Sequence, residues 1–146
     1  MLKLLSGLLA LPVLLILSVL MIFWGSEDYA RVINLNWELD LPTSEGCLYE
    51  TDSGASFGGD GERYHVLEYS SDSQLQETLE QEATPISPAE EAVTVILDGL
   101  SVPADQRPDY ADCCWFTAFR PEDARDKLYL LANSAGTRLF VIESFF

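Results

Sequence analysis

Three cysteines and one histidine hold most of the reactive side-chain chemistry of this 146-residue chain: Cys47, the adjacent pair Cys113 and Cys114, and His65. No C-x-x-C spacing occurs, so neither a dithiol redox pair nor a standard zinc site is encoded. Adjacent residues on a strand face opposite ways, so at most one of Cys113 and Cys114 reaches Cys47. In an oxidising compartment a disulfide from Cys47 to that one closes a loop of about 66 residues and adds about 4 kcal/mol of stability. The alternative is three reduced thiols packed as small apolar side chains. His65 is the only imidazole. Any hydrolysis that uses a histidine must therefore use it, with Cys47 or a serine as nucleophile, but no G-x-S-x-G elbow marks one. A lone histidine on a strand otherwise reads as a packing residue.

The run from Gly54 to Gly61 is the most glycine-dense part of the chain. A phosphate-binding loop needs a strand before it and a helix after it; here a strand follows, lysine is missing, and Asp60 repels phosphate. The run therefore reads as a turn or hairpin tip. Asp52, Asp60 and Glu62 flank it and carry the oxygen ligands calcium favours, but their spacing matches no EF-hand, and solvated acids are the simpler reading. No catalytic, cofactor-binding or metal-ligating residue is assigned from the sequence, and no cofactor is expected.

The elements that position these residues follow from periodicity. Ile33, Leu35, Trp37, Leu39 and Leu41 alternate with polar residues, which predicts a half-buried strand ending at Pro42. The Thr43 to Gly46 cluster then turns into a strand over Cys47 to Thr51, making a hairpin. A further strand is expected over Arg63 to Tyr69. Leu75 and Leu79 mark an amphipathic helix over 72–82. Ser87, Pro88 and Glu90 form a capping-box signature before a helix carrying Val93, Ile96, Leu97 and Leu100. A Pro- and Asp-rich loop over 101–112 leads to three strands, Cys113 to Arg120, Lys127 to Ala132 and Thr137 to Phe146, with a turn at Asn133 to Gly136. The first of these is apolar on both faces, as a covered central strand would be. The expected fold is α+β: an N-terminal transmembrane helix followed by an antiparallel sheet with one or two helices packed on one face.

The transmembrane expectation rests on the 21 uncharged residues from Leu4 to Trp24, enough helix to span about 30 Å of hydrocarbon. No small-x-small cleavage site follows, which favours an anchor over a cleaved signal peptide. The organisation expected is an anchor over 1–24, a tether over 25–31 and an acidic domain over 32–146. With three residues before the apolar run, the simplest insertion keeps the N-terminus in the cytoplasm and places the domain on the extracytoplasmic side of a single-pass cell membrane. Beyond residue 25, seven basic residues face 24 acidic ones, a net charge of −17. That field disfavours nucleic acid and anionic lipid surfaces and favours cationic protein partners.

The Gly58 to Glu62 run entering an aromatic strand, behind one N-terminal hydrophobic segment, resembles small bacterial membrane-anchored envelope proteins of no assigned activity. The resemblance implies an envelope location and carries over no site or reaction. The expected function is a non-enzymatic binding or modulating module anchored in the membrane. Alternatives are an immunity or inhibitor protein directed at a basic toxin or enzyme, and a hydrolase using His65.

Overall fold

The computed structural model describes residues 28–54, 60–120 and 122–146. The expected anchor over 4–24 lies outside them, as does most of the glycine run. Among the described residues no helix is long and apolar enough to cross a membrane.

The first element among the described residues is helix α1, Tyr29–Trp37, where the alternating pattern predicts a strand. Asp28 caps it by accepting from the Ala30 amide, and the same carboxylate accepts from the Ser44 hydroxyl at 2.6 Å. The helix buries Ala30, Ile33 and Trp37 and leaves Leu35 75% exposed. Those three fit one helical face, so the period-two pattern was coincidental up to Trp37 and real only beyond it, where extended Leu39 and Leu41 are buried. Asn34 holds this return, donating to the Leu41 carbonyl at 2.9 Å and accepting from its amide at 2.8 Å. The hairpin expected between 33–41 and Cys47–Thr51 is therefore absent.

Strand β1, Gly46–Asp52, pairs instead with β2, Gly61–Glu68, through the glycine run. At its neck Ser53 and Glu62 bond twice, Ser53 N–H to the Glu62 carbonyl and Glu62 N–H to the Ser53 hydroxyl. A side chain at Gly61 would put its Cβ 2.5 Å from that hydroxyl, at a φ of +141°. Helix α2, Leu75–Glu82, precedes β3, Thr84–Pro85. Helix α3, Glu90–Gly99, starts later than a Ser87 cap requires. The Ile86 amide still bonds the Trp115 carbonyl, so Ser87 belongs to the chain leaving the sheet and the capping box is not made. Arg107 closes the other end of α3, its guanidinium donating to the Leu97 carbonyl and the Asp98 carboxylate. Strands β4, Cys113–Thr117, β5, Lys127–Asn133, and β6, Arg138–Phe145, complete the set.

The fold is α+β, with one antiparallel six-stranded sheet in the order β1-β2-β6-β5-β4-β3. The helices do not share a face. Leu67, Leu128, Leu130, Leu139 and Val141 pack under α1 and α2, whereas Tyr64, Val66, Leu131, Phe140 and Ile142 pack under α3. Three central strands apolar on both sides require two covers, which one face of helices cannot supply.

Candidate functional site

The edge strand carries a β-bulge. Cys47 lies opposite Leu67 and Tyr49 opposite Val66, so Leu48 is the extra residue. An extra residue resets the alternation, and Cys47 and Glu50, three apart, come to the same face of the sheet. On β2 that face presents His65, directly opposite Glu50. Helix α1 closes over them, leaving a cleft of about 860 Å³ lined by Tyr29, Val32, Cys47, Leu48, Glu50 and His65.

His65 is 7% exposed, and its ring stacks on Tyr29 with centroids 3.3 Å apart. Burial lowers its pKa to about 4, Arg63 adds in the same direction, and Asp52 opposes. The ring is thus neutral at pH 7. Its Nε2 stands 3.8 Å from the Glu50 carboxylate, too long for a hydrogen bond and, with a neutral ring, not an ion pair. Nδ1 is buried without a hydrogen-bond partner among the described residues. The Cys47 thiol donates to the Tyr49 carbonyl, and burial and then Glu50 raise its pKa. A cysteine nucleophile needs a nearby cation that draws the thiol toward thiolate. Here the thiol is pushed up and the imidazole down, so the cleft holds two neutral groups rather than an activated pair.

Beneath the cleft lies a residue absent from the sequence reading. Glu143 is fully buried and accepts from the Tyr29 hydroxyl at 2.5 Å and the Trp37 indole N–H at 2.7 Å. It sits opposite Arg63 in the β2–β6 register, and Arg63 lies 4.9 Å over the Phe145 ring. Burial and Glu143 push the Tyr29 hydroxyl well above its ordinary pKa, with Arg63 opposing, so it remains a donor. This cluster fixes α1 to the sheet. Its signal was parity: on one strand Glu143 shares a face with Leu139 and Val141, which marks a buried carboxylate.

The other sequence candidates are not brought together. Cys113 and Cys114 lie on β4, four strand spacings from β1, roughly 19 Å by sheet geometry, against a Cα limit of about 7 Å for a disulfide. All three thiols are free, so the bond from Cys47 to either is not made. Cys113 is half-buried on the α3 side, its pKa pushed up to about 12 by burial and then by Asp112 and Asp109, while Cys114 is exposed. Asp52 shares the His65 face of the hairpin, and Glu62 the opposite face with Tyr64. The Asp52 carboxylate accepts from the Gly54 amide. Among the described residues no group of three His, Cys, Asp or Glu side chains is placed to hold a metal ion. His65 itself is buried and stacked on Tyr29.

No protein-family model, curated protein or solved structure matches the chain.

Proposed function

We propose that this chain is a membrane-anchored, extracytoplasmic binding module that engages a cationic protein through its acidic surface, without catalysis. The observation that carries the reading is where the carboxylates lie. Among the described acidic residues only Glu143 and the side chain of Asp126, the latter paired with Arg120, are buried. Glu77, Glu80 and Glu82 of α2 and Glu90 and Glu91 of α3 face outward, and no basic side chain among the described residues pairs with them. An uncompensated field of that size raises the local concentration of cations and speeds encounter with a basic partner. An immunity or inhibitor protein would use the same surface. The cleft favours binding over hydrolysis, since its histidine is stacked and neutral and its thiol protonated.

Protease shaving of intact cells tests the topology, and photo-crosslinking in the same cells tests the partner. The reading expects release of peptides from Asp40 to Phe146, and a crosslink to a basic protein that fades as salt rises. Peptides that appear only after lysis, or a crosslink indifferent to salt, would overturn it.

A further inference from the structure

The sheet has two edges, and they differ. The outer strand β3 has two residues, one of them Pro85, and offers almost no main chain for pairing. The other edge, β1, runs for seven residues without proline. Its hydrogen-bonding phase follows from the hairpin neck. Ser53 N–H donates to the Glu62 carbonyl, so Ser53 bonds inward. Alternation then turns Thr51 inward as well, and directs the main-chain groups of Glu50 and Asp52 to the open side.

We propose that β1 accepts an extended basic segment of a partner as a seventh strand. The inference rests on the cationic-partner reading and specifies its place and geometry. Charge complementarity names the occupant. Glu50 and Asp52 are both exposed and both lie on the α1 face, so residues directly opposite them on an added strand must be cationic. Residues of the other parity lie beside half-buried Tyr49 and Thr51, where an apolar side chain fits. The partner segment therefore alternates basic and apolar residues. The cleft gives a second, independent reason to expect a ligand here. It opens beside Glu50, has Leu48 45% exposed at its rim, and contains the buried His65 ring whose Nδ1 has no hydrogen-bond partner among the described residues. A second copy of this chain is the wrong occupant, because antiparallel pairing of two β1 strands sets the acids of one copy against those of the other.

The test uses the full chain in nonionic micelles and a capped octapeptide alternating lysine and valine. Hydrogen exchange read by mass spectrometry should show protection gained at Glu50 and Asp52. Residues directly opposite outward-facing ones exchange both main-chain bonds, so the lysine amides of the peptide point at β1 and the valine amides point away. N-methylation of the lysine amides should weaken binding by about tenfold or more, and N-methylation of the valine amides by less than about threefold. Substituting Glu50→Lys together with Asp52→Lys, both at exposed positions, should also weaken it. If both methylated peptides bind alike and protection falls on α2 or α3, strand addition fails while the acidic-surface reading stands. If no peptide binds at low salt, both fail. A dimer mass by light scattering without peptide, with β1 protected, would assign the edge to a second copy.

Discussion

His65 makes the fold sensitive to acid. Its folded pKa of about 4 lies below the ordinary 6.5, so the unfolded chain takes up the proton first. The stability at stake is fully present above pH 6.5 and is lost as pH falls toward 4, on the order of 3 kcal/mol for a shift of this size. His65→Phe keeps a ring against Tyr29 and removes the titration. In urea melts across this range the difference between the two proteins should be flat above pH 7 and move in favour of the variant below 6.5. A constant difference would show that the buried ring does not titrate as its surroundings demand. The thiols give a second expectation. With iodoacetamide at pH 8 all three cysteines should alkylate without reductant, and Cys113 should react slowest, since burial and two carboxylates hold its pKa near 12. A non-reducing digest containing a Cys47–Cys114 peptide would contradict the strand order itself.

At the scale of elements, α1 is the part whose loss would open the cleft. It is held by its cap, by the Asn34 clamp on Leu41 and by the two bonds into Glu143. Glu143→Leu would fill the space but strand the Trp37 and Tyr29 donors, and should cost about 3 kcal/mol in chemical denaturation. Glu143→Gln keeps an acceptor for Trp37 and should cost less than half of that. Asn34→Ala removes two bonds that fix the return after the helix, and should cost about 1–2 kcal/mol with faster hydrogen exchange over 38–44. Sequence pattern exposed much of this level and misread α1. The strands from Cys47 onward, the Leu75/Leu79 helix and the helix carrying Val93 follow from local apolar spacing, and the Asn133 to Gly136 turn from its turn residues; all are present, but the strand expected over Cys113 to Arg120 ends at Thr117 and the two-residue strand Thr84–Pro85 was not foreseen. Helix α1 was misread because five alternating apolar residues read as a strand, while Asp28, which caps the helix, was taken as part of a tether. The cleft was not legible because it depends on a one-residue bulge at Leu48, which no periodicity announces, and on the non-local register that sets Glu50 opposite His65.

At the scale of the molecule the net charge of −17 beyond residue 25 must be borne by a domain of modest size, and it opposes the compact state through self-repulsion. Four ion pairs among the described residues, all of them drawing on arginine, relieve little of it. Screening should therefore stabilise this fold. The Debye length falls from about 30 Å at 0.01 M salt to about 8 Å at 0.15 M, so most of the relief should arrive within that range. A gain of about 1 kcal/mol corresponds to a rise in Tm of about 4 °C for a domain of this length. Calorimetry of the full chain in nonionic micelles should show Tm climbing with sodium chloride below about 0.2 M and then levelling. Salt exclusion from the surface would instead keep raising Tm into the molar range, and sodium sulfate would then far exceed sodium chloride. The same screening should weaken binding of the lysine–valine peptide over the same interval, because the field that strains the free domain is the one that attracts its ligand. If salt steadies the fold and leaves the peptide bound, the attraction is local to Glu50 and Asp52 and the rest of the acidic surface serves only solubility.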